Sequence, residues 1–404
     1  MTLLIRPSYR FADTALLLLY IAVCAVILFR VNVEATGYLT PDSESYLELA
    51  QNLKNGKGFY LYEASTAEET FFSVWPVGYP VLIYFVSAVT SLDVFWASKV
   101  LNLLLVGLGF LLLRQINRKY SYILASVYCS YTLLEVYSFT WSEAPFLLGL
   151  LYLCYLVNKV ILGDDTTKNI LLLFLTCVFL FLMRYIGAFS FSVPALLACF
   201  CYYKQRRRTA IKLLVVFFLL MAVTGLYLFM NYSLSGYATG FDRLEAETES
   251  VRAFAGMMAE GLLNELLIIR KFRMGNQPDY LLYLTILLQL AVTAIIIAKL
   301  KRHYLLEQLK NDSFSLACFI VALLYLAAIV FLRSFSHFDD LDYRLLAPFS
   351  FLFWIGMLHL LVSLPDNIRS TVQAKNIAFV FFMISLLLNL PKQYILEKVV
   401  QLLS

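Results

Sequence analysis

This sequence is short of charge: Asp, Glu, Lys and Arg make up 15% of its 404 residues, against about 25% in a soluble globular domain. That shortage excludes an ordinary water-soluble fold. It also makes the net charge of +5 a matter of where the cations sit along the chain, not a nucleic-acid-binding surface. Cysteine is missing from every polar stretch. All seven (Cys24, Cys129, Cys154, Cys177, Cys199, Cys201 and Cys318) fall in apolar runs, where they read as small buried hydrophobes and suggest neither a disulfide framework nor a thiolate metal site. Alternating segments of barrel type are absent, which rules out a membrane β-barrel. Internal repeats and low-complexity linkers are absent too, leaving one membrane domain over residues 1–404. The first apolar run lacks a small-residue cleavage site before its polar exit. It is therefore expected to remain as an anchor and not to leave as a signal peptide.

What is abundant is apolar surface. Hydrophobic residues make up 61% of the chain and the mean hydropathy is +0.77. They fall in repeated blocks near the length of about 20 residues that a helix needs to cross a bilayer core. The fold expected is an all-α polytopic membrane protein. Arg6 and Arg10 precede the run Thr14–Val33 and place the N-terminus in the cytoplasm. The second crossing is Trp96–Leu113. The apolar stretch Val81–Leu92 is too short to cross and is expected to lie along the outer interface, which leaves the basic cluster Arg114–Tyr120 inside. Further spans are expected at Ser121–Thr140, Ala144–Ile161, Asn169–Met183, Ile186–Tyr203, Ala210–Asn231, Tyr280–Leu300, Ser313–Leu332, Leu345–Leu364 and Asn376–Leu390. That makes about eleven crossings, with residues 34–95 and 232–279 as external loops. The basic stretches Tyr202–Arg208 and Lys299–His303 then fall inside. Arg270–Gly275 falls outside, against the rule, and marks either an error in the topology or a site for an anion.

The stretch "YLTPDSESYLELAQNLKNGKGF" (Tyr38–Phe59) follows the first crossing and is built like a short capped helix. Thr40 suits the N-cap, Pro41 the first helical position, and Asp42 the positively polarised first turn. Tyr46, Leu49, Ala50 and Leu53 make one apolar face, and "NG" at Asn55 supplies the stop. A plain helix-start carboxylate is the unremarkable reading of Asp42. After this helix come a polar loop, "SVWPVGYP" (Ser73–Pro80), the interfacial segment and the second crossing.

That order resembles the first external loop of GT-C class glycosyltransferases, polytopic enzymes that take sugar from a polyprenyl-phosphate carrier. Protein O-mannosyltransferases, aminoarabinose transferases and rhizobial lipopolysaccharide transferases belong to the class. "TWSEAPFLLGLLY" (Thr140–Tyr152), "MRYIGAF" (Met183–Phe189) and "DYRLLAPF" (Asp342–Phe349) resemble its downstream motifs, so the likeness covers residues 1 to about 365. It implies a GT-C-like bundle in a bacterial inner membrane, with its active site on the outer face and a lipid, glycan or protein as acceptor. It also implies that Asp42 is the catalytic base.

Sugar transfer from a lipid phosphate needs a carboxylate to take the acceptor's proton and guanidinium groups to steady the leaving phosphate. Asp42 and Glu143 are the catalytic candidates. Arg184 with Tyr185, and Tyr343 with Arg344, are candidates for substrate binding; so are Lys57, Trp75, Tyr79, Arg270 and Arg273. Each has a structural alternative. Glu143 can cap a helix, Arg184 can snorkel to the interface, and Arg344 can pair with Asp339, Asp340 or Asp342. Trp75 and Tyr79 can anchor the interface. No cofactor is required by the pattern, although His337 with Asp339 and Asp340 offers N and O ligands for a divalent cation; a solvated acidic loop is the alternative there. A transporter or flippase of a lipid-linked or anionic substrate is the rival function, against which the sequence shows no two-fold internal symmetry. A non-catalytic scaffold is the third.

Overall fold

A chain in a bilayer must close its backbone hydrogen bonds within each segment, and helices do so. The computed structural model describes residues 8–63, 68–240, 250–269, 280–300, 308–335, 341 and 343–390. These form α1 (Tyr9–Val33), α2 (Pro41–Lys54), the strands β1 (Tyr60–Glu63) and β2 (Glu68–Phe71), α3 (Gly78–Thr90), α4 (Val94–Ile116), α5 (Ser121–Ala125), α6 (Tyr131–Ser138), α7 (Glu143–Ile161) and α8 (Thr167–Met183). The chain continues through α9 (Ser192–Tyr203), α10 (Arg207–Ser235), α11 (Val251–Leu266), α12 (Tyr280–Lys299), α13 (Ser313–Phe335), α14 (Tyr343–Val362) and α15 (Arg369–Leu388). Among the described residues, eight helices are long and apolar enough to cross a membrane, and three apolar helices are shorter. The protein is a multi-pass integral membrane protein.

Of about eleven expected crossings, eight are long spanning helices among the described residues and two, Thr167–Met183 and Tyr283–Lys299, are shorter apolar helices. Ser121–Thr140 is not one helix: it runs as α5, a 3₁₀ turn over Ser126–Cys129, and α6. Serines make the breaks. Ser126 Oγ donates to Ile123 O at 2.7 Å and Ser130 Oγ N-caps α6 by accepting from Leu133 N at 3.5 Å, so side chains compete with the helical ladder. The amide freed at Tyr131 donates to Ile268 O at 3.0 Å. The broken segment is buried along its length, which is where irregular backbone is tolerated at membrane depth.

The first loop forms as the capping signals require. Thr40 Oγ1 accepts from Ser43 N at 3.4 Å, Pro41 opens α2, and Asn55 ends it. The face bearing Ser43, Tyr46, Leu49 and Ala50 is buried and packs on protein, against α3 and α4. The polar stretch that follows, expected as loop, holds two antiparallel strands that pair Tyr60 with Phe71. α3 has 13 residues and measures about 20 Å, short of the ~30 Å of hydrocarbon. The stretch 232–279, read as an external loop, contains α11, whose C-terminal turn enters the bundle. Gly261 is needed there: a Cβ would lie 2.2 Å from Leu341 O.

Ion pairs gather at two ends of the bundle. At one, Arg114 and Arg118 hold Asp13 at 2.6 and 3.0 Å and Arg206 holds Asp165 at 2.7 Å. There too, Lys119, Tyr120 and Lys375 meet on Asp366. Burial would raise the Asp366 carboxyl, but hydrogen bonds from Lys119, Lys375 and Tyr120 outweigh it and bring it from 3.8 down to about 2. The other end carries Asp42, Glu143, Arg184 and Arg344.

Candidate functional site

Four helix termini bring the site together. Asp42 sits in the first turn of α2, and Glu143 is the first residue of α7. Arg184 closes α8 with φ −151°, and Arg344 lies in the first turn of α14. Chain ends of helices present side chains toward the bundle rim, where ionisable groups cost less than at mid-span.

Arg344 bridges both acids. Its Nη2 lies 2.6 Å from Asp42 Oδ2 and its Nε donates to Glu143 Oε1 at 2.6 Å. Arg184 also pairs with Glu143 Oε1. Two carboxylates thus face two guanidinium groups. Side-chain exposure separates their roles: Asp42, Arg184 and Arg344 keep 14, 14 and 18%, while Glu143 keeps none. A ligand at this end can reach the first three; Glu143 is enclosed and holds the two arginines. Its capping alternative yields to these ion pairs. Arg184 is not simply snorkelling to the interface, since its guanidinium meets Glu143.

Trp141 forms the floor. Its ring lies 4.6 Å below the Arg344 guanidinium, stacks on Phe139 at 3.9 Å, and donates Nε1–H to Thr40 Oγ1 at 2.9 Å. Ser43 Oγ donates to Thr140 O at 2.9 Å, so the start of α2 is stitched to the segment before α7. Behind it, Tyr46 meets Trp75 and Tyr79 edge-on, with centroids 5.7 and 5.4 Å apart. Tyr46 OH donates to Ser142 Oγ at 3.4 Å. Burial, with the Glu143 charge next, raises the Tyr46 hydroxyl above its ordinary value, which keeps it a donor.

Tyr185 OH donates to Ser73 O at 2.8 Å and accepts from Asn231 Nδ2 at 2.9 Å, tying the first loop to α10. Gly187 lets the turn after Arg184 close, because a Cβ there would lie 2.2 Å from Leu180 O.

Other candidates stand apart. Tyr79 is fully buried, packed as a core ring with no face open to a ligand. Lys57 is exposed and joins none of these contacts. Trp75 is half-buried and borders the site through Tyr46. Arg270, Arg273, His337, Asp339, Asp340 and the Tyr343 side chain lie outside the described residues, as do Asp342 and the expected anion cluster at Arg270–Gly275. Among the described residues, no group of three His, Cys, Asp or Glu is placed to hold a metal ion.

Sequence reasoning missed several polar groups. Arg30 pairs with Glu135 inside the bundle, and Lys99 is 1% exposed. Glu265, 2% exposed, accepts from Thr132 Oγ1 at 3.1 Å and from Ser350 Oγ. The available signal was a lone charge inside an apolar run, as in "WASKVLNLLL" (Trp96–Leu105).

No family model matches this chain, and no curated protein matches it. Among solved structures, it is similar to the crystal structure of ArnT from Cupriavidus metallidurans in the apo state, at 14% identity and a TM-score of 0.48. The match covers 88% of this chain and 61% of that one, so this chain spans about three-fifths of that protein's length.

Proposed function

We propose that this chain is a GT-C type glycosyltransferase that moves a sugar from a polyprenyl-phosphate donor to an acceptor at the outer face of the membrane. The observation that carries this reading is the bridge of Arg344 to both Asp42 and Glu143, with Arg184 on the same Glu143 oxygen. It supplies one partly exposed acid beside two cations with forked donors, at one end of an apolar bundle.

In this reading the donor phosphate engages Arg184 and Arg344, whose donor geometry suits phosphate oxygens. Arg344 turns from Asp42 toward the phosphate, leaving the carboxylate to accept the acceptor's proton. The acceptor oxygen bonds the anomeric carbon as the bond from that carbon to the phosphate oxygen breaks. The polyprenyl phosphate departs against the two guanidinium groups, and the anomeric centre inverts. Glu143 stays enclosed and keeps the arginines in place.

The test is transfer from polyprenyl-phosphate sugars by the full chain in nanodiscs, comparing wild type with Asp42→Asn. The amide is nearly isosteric and caps a helix well, but it cannot take the proton. Loss of a general base costs about 10²–10⁴ in rate. Transfer within about threefold of wild type, at matched melting temperature, would return Asp42 to a helix-start role.

A further inference from the structure

Lys99 is a buried cation that this chemistry leaves unused. It lies in the second turn of α4, is 1% exposed, and forms no ion pair among the described residues. Its ammonium donates to Ser138 O at 2.8 Å and to Tyr38 O at 3.4 Å, and lies 5.1 Å from the centroid of the Phe95 ring. Asn102, on the same face of α4 and fully buried, donates Nδ2–H to Tyr137 O at 3.0 Å and to Phe139 O at 2.8 Å. Ser98 Oγ meets Thr140 Oγ1 at 2.8 Å.

Three of these four carbonyl acceptors, all but Tyr38 O, share one property. Tyr137, Ser138 and Phe139 are at the C-terminal end of α6, where carbonyls have no intrahelical donor and carry the negative end of the helix dipole. Inside an apolar bundle such carbonyls need donors from neighbours. α4 supplies them, and in doing so it fixes where the chain goes next. Phe139 stacks on Trp141. Trp141 lies under Arg344 and donates to Thr40, and Thr140 O receives Ser43 Oγ. Thr40 and Ser43 flank the turn that carries Asp42.

We propose that Lys99 and Asn102 are positioning residues: they clamp the end carbonyls of α6, set the Trp141 ring, and through it hold Arg344 against Asp42. The geometric part stands by itself; the consequence for turnover rests on the proposed glycosyltransferase activity.

The experiment therefore reads the two parts separately. In full-length protein in nanodiscs, Trp75, Trp96 and Trp354 are replaced by Phe so that Trp141 is the sole tryptophan. Acrylamide quenching of its fluorescence is then measured for Lys99→Met, Asn102→Ala and, as control, Lys54→Met. Lys54 also donates to a hydroxyl and a carbonyl, Ser87 Oγ at 2.9 Å and Leu92 O at 3.1 Å, and among the described residues it makes no hydrogen bond to residues 137–141. Quenching well below the melting temperature should rise at least about threefold for Lys99→Met and Asn102→Ala and stay unchanged for Lys54→Met. A lysine that only stabilised the bundle would lower the melting temperature and leave the quenching alone, and that result overturns the clamp. If Lys99→Met does not accumulate, Asn102→Ala decides by the same measure. In an otherwise native background, Lys99→Met and Arg344→Met should each cut transfer about tenfold or more, and together no more than the worse of the two. Full additivity would overturn the link to Arg344. Absence of transfer by wild-type protein would sink the glycosyltransferase reading and leave the quenching result to judge the clamp.

Discussion

Asp42 and Arg344, far apart in the sequence, meet at 2.6 Å. The contact joins the first turn of α2 to the first turn of α14, and Glu143 secures it from behind by accepting from Arg344 Nε. Three helix ends are thereby locked to one guanidinium.

Glu143→Gln should destabilise the protein far more than Asp42→Asn. Removing the enclosed acid leaves Arg184 and Arg344 without their shared counter-charge, and breaking a buried ion pair from one side costs about 3–5 kcal/mol. Asp42 lies at the rim, where the exchange to Asn costs about 1 kcal/mol or less. Thermal unfolding in detergent orders the two; equal melting temperatures would contradict the enclosure of Glu143.

Arg344→Lys keeps the charge and loses the fork. One ammonium cannot reproduce the separate Nε and Nη2 contacts to Glu143 and Asp42. A charge-assisted hydrogen bond is worth about 1.5–3 kcal/mol, so binding of a polyprenyl phosphate should weaken about 10- to 100-fold. Affinity measured by ligand-detected thermal shift checks it, and unchanged affinity would remove Arg344 from the phosphate site.

Asp366 gives the basic end an acid limit. Its carboxyl is held at about 2 in the folded protein, below its ordinary 3.8. The stability it contributes is therefore complete above pH of about 4 and is lost as pH falls through about 2. Melting temperature against pH should fall over that window, and Asp366→Asn should flatten that part of the curve. A variant curve parallel to wild type would assign the acid sensitivity elsewhere.

Cysteine substitutions at Asn117 and Lys57 should label from opposite faces of the membrane. Asn117 lies beside the Asp13–Arg118 end, and Lys57 follows α2, at the end with Asp42. Labelling of both from one side would overturn the separation of the two ends.

The helix-start signals of α2 were legible because they are local: Thr40, Pro41 and Asn55 each act within a few residues. Long apolar spans were legible from hydropathy alone. The breaks at Ser126 and Ser130 were not, because average hydropathy does not register a serine hydroxyl bonding its own backbone. The hairpin Tyr60–Phe71 was missed because four-residue strands offer too little alternation. At the site, Asp42, Glu143, Arg184 and Arg344 could be singled out as charges beside span ends, but nothing local says that Arg344 takes both acids. Lys99 and Asn102 were passed over because their partners are backbone carbonyls, which no side-chain pattern reveals.

The Tyr131 amide, freed by the break in the segment between α5 and α6, is completed by Ile268 O, which belongs to the second half of the chain. During synthesis the first half reaches the membrane before that carbonyl exists. Until residue 268 is made, the Tyr131 amide has no access to this acceptor, so the contact ties the break in the first half to a later part of the chain. A chain terminated before residue 268 would carry the broken segment without that acceptor.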